Sequence, residues 1–273
     1  MNLGKIGVWR RRQDGSHDLA ELEALGFTAF WVGSSPSLAQ AREFLERSST
    51  LTVATGILNV WQHEAADVAA QHAELVRDFP DRFLLGIGVG HPEATAEYQT
   101  PLAEMRAFFD GLDAAPHPVP KDQRIAAALG PKMLDLAAER SLGAHPYFVP
   151  PEHTRLAREQ LGSAALIATE VAVVVETDDD RAREAARAYA KLYLGASNYR
   201  RNLKRLGYTD ADIDDGGSER LIDAVVPHGS AEAIAEALRA HFDAGADHVC
   251  LQPLGEEGIP RRSWEALAAA LAA

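Results

Sequence analysis

Phe83-Leu-Leu-Gly-Ile-Gly-Val89 is the stretch on which the fold turns. It is apolar throughout, as expected of a strand covered on both faces in a parallel sheet flanked by helices. Gly86, Gly88 and Gly90 do not make a dinucleotide-binding turn, because the G-x-G-x-x-G spacing and the immediate helix are missing. Glycines within a strand mark close backbone approach, here to the ring system of a planar ligand.

Outward from this strand the chain alternates short β-rich runs with amphipathic helical stretches. Upstream, strands are expected at Lys5–Trp9, Ala29–Gly33 and Leu51–Val60, the last rich in β-branched residues. Helices are expected over Asp18–Leu25, Leu38–Arg47 and Ala65–Asp78. Downstream, strands fall at Arg124–Ala128, Ala144–Val149, Val171–Glu176 and His248–Leu251. Their helices are expected at Pro101–Leu112, Lys132–Arg140, Pro151–Leu161 and Arg262–Leu271. Eight strands in βα alternation over 273 residues fit a single α/β domain, a (β/α)8 TIM-type barrel. An open doubly wound sheet is the alternative, since closure itself is not written in the sequence. The segment 177–246 exceeds one crossover and is expected to be a helical insertion between strands seven and eight, lying as a lid over the site.

Composition narrows the function. A formal charge of −13 argues against a nucleic-acid surface. No apolar run is long enough for a membrane span, and the start MNLGKIGVWRRR has no signal-peptide pattern. Cys250 is the single cysteine, so a reducing, cytoplasmic location is the expectation. Arg10, Arg11 and Arg12 form a compact basic cluster, either a solvated loop or an anchor for an anionic cofactor tail.

Barrel enzymes react at the C-terminal ends of their strands. Those ends read Trp9-Arg10, Gly33-Ser34-Ser35, Asn59-Val60-Trp61, Gly90-His91, Gly130-Pro131, Tyr147-Phe148 and Gln252. They offer glycines, aromatics and small hydroxyls, with no acid–base pair and no activated nucleophile. Such a set suits a large planar cofactor that supplies the chemistry itself. Gly130-Pro131 opens a helix and reads either as a phosphate-holding turn or as a plain structural turn. His91 at a strand end could bond a cofactor or protonate a product, or serve structure alone. The histidine spacings do not make a metal site, and neither Lys5 nor Lys132 stands where a Schiff-base aldolase needs its lysine.

The order of six stretches along the chain resembles the luciferase-like monooxygenase superfamily, in its F420-dependent oxidoreductase branch. They are Val53-Ala-Thr-Gly-Ile-Leu-Asn-Val-Trp61, Arg82-Phe-Leu-Leu-Gly-Ile-Gly-Val-Gly-His91, Ala128-Leu-Gly-Pro-Lys-Met-Leu134, Gly143-Ala-His-Pro-Tyr147, Asn198-Tyr-Arg-Arg-Asn202 and Gly245-Ala-Asp-His-Val-Cys250. The resemblance implies a bacterial-luciferase-like barrel with F420, or alternatively FMN, across the strand ends. It implies a bulge with a non-prolyl cis peptide at Asn59-Val60, beneath the ring. Gly130, Pro131, Lys132 and Met133 match a backbone phosphate-binding segment, and Tyr147 to Pro150, with Val149, a second wall. His91 and Trp61 would face the ring or the substrate, with Ser34 beside them, and Tyr199 and Arg200 would cover the pocket. Relatives often pair, so a homodimer is expected by analogy.

One departure stands out. Several F420-dependent relatives carry an acid or histidine at the end of the second strand, where this chain has Gly33-Ser34-Ser35. Either another residue, such as His91, supplies the proton, or this branch uses different chemistry. The implied activity is hydride transfer between F420 and a small organic substrate, with an FMN-dependent monooxygenase and a non-catalytic flavin-type binder as alternatives.

Overall fold

The computed structural model describes residues 3–11, 19–91 and 100–272. Arg12 and Asp18, which belong to the expected basic cluster and first helix, lie outside them. The first half runs β1 (Ile6–Arg11), α1 (Leu19–Ala24), β2 (Ala29–Gly33), α2 (Leu38–Glu46), β3 (Thr52–Gly56), β4 (Leu58–Asn59), α3 (Ala65–Asp78), β5 (Phe83–Gly88) and α4 (Pro101–Ala114). It continues through β6 (Arg124–Ala126), α5 (Pro131–Arg140), β7 (Gly143–Ala144), α6 (Pro151–Leu161) and β8 (Leu166–Val175). The segment after β8 holds α7 (Asp179–Leu194), α8 (Ser197–Arg205), α9 (Asp210–Ile213), α10 (Glu219–Val225), β9 (His228–Gly229) and α11 (Ala231–Asp243). Then β10 (His248–Pro253) and α12 (Arg261–Ala272) close the chain.

The sheet is all parallel and closes on itself. β10 pairs with β1 on one side (Gly7↔Cys250) and with β8 on the other (Glu170↔Cys250). That closure decides against an open sheet, and the architecture is a TIM-type barrel. The period of two in each strand sorts side chains to two cores. Val8, Phe30, Val53, Leu85 and Leu251 pack outward under the helices. Their neighbours Trp9, Trp31, Ala54, Leu84 and Cys250 fill the lumen. No helix among the described residues is long and apolar enough to cross a membrane.

The deciding strand behaves as its apolar run demands, with Phe83 to Gly88 buried throughout. Its glycines need a different explanation from a ligand ring. A Cβ on Gly86 would collide with the Thr55 carbonyl. The Thr55 hydroxyl instead donates to the Gly86 carbonyl at 2.7 Å and accepts from its N–H at 2.8 Å. The close approach is strand to strand.

Three departures from the sequence reading bear on the site. The third strand is split by a cis peptide at Gly56–Ile57, not at Asn59-Val60. Leu58 and Asn59 already lie in ladder register with Ile87 and Gly88, so the chain is regular again by Asn59. The sixth strand has only two ladder residues, because Pro146 offers no N–H and Phe148 takes a left-handed φ of 53°. The seventh begins at Leu166, five residues before Val171; its polar pair Thr169-Glu170 lies inside the ladder.

Candidate active site

The C-terminal ends of the strands form a mouth whose walls are aromatic and hydroxylic. From β1, the Trp9 indole N–H donates to the Gly56 carbonyl at 3.0 Å. Its ring lies 5.5 Å from that of Tyr147, in the irregular turn after β7. The Tyr147 hydroxyl is 2.8 Å from that of Tyr189, 2.9 Å from that of Tyr193, and donates to Gln252 Oε1 at 2.9 Å. Tyr189 and Tyr193 are four apart on α7 and so share one helix face. Tyr189 also donates to Gln252 Oε1, at 3.1 Å. With both of those protons directed at Gln252, the Tyr193 proton is left for the Tyr147 oxygen. Tyr199 on α8 meets Tyr193 edge-on at 5.3 Å, and His91 reaches the group with its ring 5.2 Å from Tyr199. Asn198 Nδ2 stands 3.4 Å from His91 Nδ1.

Beneath the mouth the lumen holds polar groups in neutral form. Trp31 stacks on His145 at 4.3 Å and donates its indole N–H to His248 Nε2 at 3.0 Å. His248 therefore carries its proton on Nδ1, which donates to the Gly4 carbonyl at 3.0 Å. His145 Nδ1 donates to the Ala168 carbonyl at 2.7 Å, leaving Nε2 without a partner. Burial lowers both histidines to about 4. Glu170 is 1% exposed, and neither of its carboxyl oxygens has a hydrogen-bond partner. Burial raises its carboxyl well above the ordinary range, and the Phe148 N–H opposes this only in part, from outside good hydrogen-bond geometry. Burial likewise raises Tyr147, Tyr189 and Tyr199.

On the neighbouring rim, Ser34 and Ser35 both take left-handed φ, 63° and 53°. Ser35 Oγ accepts from the Asn59 N–H at 3.2 Å and donates to Gln62 Oε1 at 2.9 Å. Asn59 Oδ1 caps the next turn through the Trp61 N–H at 3.1 Å. The Trp61 indole is tied to the Val89 carbonyl at 3.0 Å. Val60 packs its side chain into the helix-side core, so only its backbone faces this rim; Val149 is buried. Arg10 donates to the Gly258 carbonyl at 2.8 Å, in the loop after β10, and lies over the Trp264 ring of α12.

Gly130 is the N-cap of α5, followed by Pro131, Lys132 and Met133 in its first turn. A Cβ on Gly130 would lie 3.2 Å from Arg205 Nη1 on α8. Arg205 donates to Asn202 Oδ1 at 2.8 Å, while the Nδ2 of that buried asparagine has no partner. A glycine at a helix start, facing a guanidinium, is a cradle for an anion. The residues present therefore fit a phosphorylated planar cofactor. Among the described residues no group of three or more His, Cys, Asp or Glu could hold a metal ion.

Glu170, Tyr189, Tyr193 and Arg205 were not among the sequence candidates. The signal for Glu170 was a lone acid inside an apolar run; for the tyrosines it was their spacing of four.

The luciferase-like monooxygenase family model matches residues 95–248, more than half of the chain. The chain belongs to the luciferase-like monooxygenase family. It is an enzyme of that oxidoreductase class. Three solved structures of similar fold cover nearly its whole length. An F420-dependent secondary alcohol dehydrogenase in complex with an F420–acetone adduct is 16% identical, with a TM-score of 0.75 and 98% of each chain covered. The coenzyme F420-dependent tetrahydromethanopterin reductase of Methanopyrus kandleri is 15% identical, with a TM-score of 0.76 and 99% of each chain covered. The oxygenating constituent of 3,6-diketocamphane monooxygenase from Pseudomonas putida, in complex with FMN, is 14% identical, with a TM-score of 0.67; the match covers 98% of this chain and 96% of that one. No curated protein matches this luciferase-like chain in sequence.

Proposed function

We propose that this luciferase-like enzyme binds F420 at the barrel mouth and passes a hydride between it and a small organic substrate. The observation that supports the reading best is the pairing, on one rim, of an uncharged tyrosine–glutamine cluster with the anion cradle at Gly130. When bound, F420 supplies a two-electron hydride carrier. The protein's residues do the rest. Gly130, Pro131, Lys132 and Met133, with Arg205, hold the cofactor phosphate. Ser34, Asn59, Val60 and Trp61 line one side of the ring site, and Tyr147 and Val149 the other. The segment 177–246 covers the pocket and excludes water, strengthening every hydrogen bond inside it. His91 bonds the substrate or cofactor from the rim.

One observation favours a second reading. The end of β2, Gly33-Ser34-Ser35, offers neither acid nor histidine, which suits an FMN-dependent monooxygenase. Oxygen separates the two. Under anaerobic conditions reduced F420 should be oxidised by a member of a panel of small ketones and aldehydes, followed by its absorbance. Turnover only with reduced FMN and dioxygen would overturn the hydride-transfer reading.

A further inference from the structure

Glu170 stands apart from every other acid among the described residues: it is buried, and neither carboxyl oxygen has a hydrogen-bond partner. It lies on the lumen face of β8, in the row that also contains Ala168, Ala172 and Val174. Its register partner is Cys250, and the next lumen pair above is Ala172 with Gln252. Gln252 is the shared acceptor of the Tyr147 and Tyr189 hydroxyls. Glu170 thus sits one lumen rung beneath the hydroxyl cluster, about 7 Å along the strands, within electrostatic reach of Tyr147, Tyr189 and Tyr193. The cluster ends at Tyr147 and Tyr193, both only partly buried, so it joins the lumen to the mouth.

The groups facing Glu170 are Tyr147 beyond β7, Tyr189 and Tyr193 on α7, Tyr199 on α8 and Cys250 on β10, each a neutral side chain. The lumen histidines His145 and His248 are also neutral near pH 7. Among the described residues no cation acts on Glu170 itself; Arg11, on β1, reaches the cluster only at Tyr193. Burying a carboxyl with both oxygens unpaired destabilises the fold wherever the unfolded chain would ionise it. A glutamine of the same shape would avoid that cost. Side chains that lower stability in this way mark functional positions.

We propose that Glu170 is the proton store of the barrel mouth, held as a neutral carboxylic acid and exchanging its proton with the mouth through the Tyr147 and Tyr193 hydroxyls. Its catalytic use rests on the hydride-transfer reading. A hydride brings two electrons to the carbonyl carbon, and the π pair moves to the oxygen. That oxygen takes a proton from a mouth tyrosine, which is reprotonated along the cluster from Glu170. Solvent then restores the Glu170 proton. Glu170 acts here through the tyrosines, as a positioning residue.

The test uses the protein without cofactor, so it stands even if F420 does not bind. Infrared spectra at neutral pH should show the carbonyl band of a protonated carboxylic acid, lost in Glu170→Gln. On transfer to deuterium oxide the band should shift promptly in the wild type and severalfold more slowly in Tyr147→Phe and Tyr193→Phe. In parallel, the unfolding constant of Glu170→Gln should fall relative to wild type by about tenfold per pH unit above the unfolded carboxyl's ordinary range, because only the wild type must ionise on unfolding. Absence of the band would overturn the proposal, as would exchange at the wild-type rate in both phenylalanine variants.

Discussion

Trp31 lies between two histidines, stacked on His145 and donating to His248, and that arrangement makes the lumen sensitive to acid. Both histidines are held near 4 by burial, as are His72, His153 and His241. In the unfolded chain each takes up a proton below about 6.5. The folded state therefore binds fewer protons between pH 6.5 and 4, and stability falls as pH drops through that window. Each histidine contributes at most about 1.4 kcal/mol per pH unit to the fall. Glu170 has the opposite sign, but it is one group against five. Urea denaturation at pH 7.5 and pH 5 should show a clear loss at the lower pH, reduced in His248→Gln; equal stabilities would contradict the neutral-histidine assignment. At this scale the sequence was only partly legible. Trp61, Tyr147 and Gly130 could be placed at strand ends because such ends are punctuated by glycine, proline and aromatics. Glu170 could not, because its polar neighbourhood put the expected strand start at Val171, and a period of two does not say which parity faces the lumen.

Arg158 shows what holds the elements together at the end opposite the mouth. Its guanidinium donates to the Gly162 carbonyl at 2.6 Å, to Ala165 at 2.7 Å and to Gly245 at 2.8 Å, and it pairs with Asp247. Asp247 in turn accepts the Ile167 N–H at 2.8 Å. One side chain thus satisfies carbonyls at the C-terminal end of α6 and after α11, beside the starts of β8 and β10. Arg158→Ala should lower stability by about 2 kcal/mol in urea denaturation, through several lost charge-assisted bonds. It should leave cofactor affinity unchanged, since it lies far from the mouth. Unaltered stability would show that these bonds are replaced by water. Helices were the most legible elements: α3 and α6 occupy the ranges their apolar spacing indicated, Ala65–Asp78 and Pro151–Leu161. Strands were less so. The break at Gly56–Ile57 and the two-residue β7 follow from local backbone geometry that β-propensity does not encode.

At the scale of the whole molecule, closure of β10 onto both β1 and β8 brings residues from the two ends of the chain to one mouth. Trp9 and Gln252, more than two hundred residues apart, both meet Tyr147 there. α7 and α8 supply the outer side of the site, through Tyr193 and Tyr199 to the rim and through Arg205 to the α5 cradle. The βα alternation announced the barrel, but nothing in the sequence said which helices of segment 177–246 would fold back over it. The cofactor claim is tested most directly by equilibrium titration of the wild type and Gly130→Val with F420, followed by fluorescence, with FMN as competitor. Saturable binding of F420 that FMN does not displace, weakened about tenfold or more when a valine crowds Arg205, would bear the assignment out. Tight binding of FMN in preference to F420, or F420 binding indifferent to the Gly130 substitution, would contradict it.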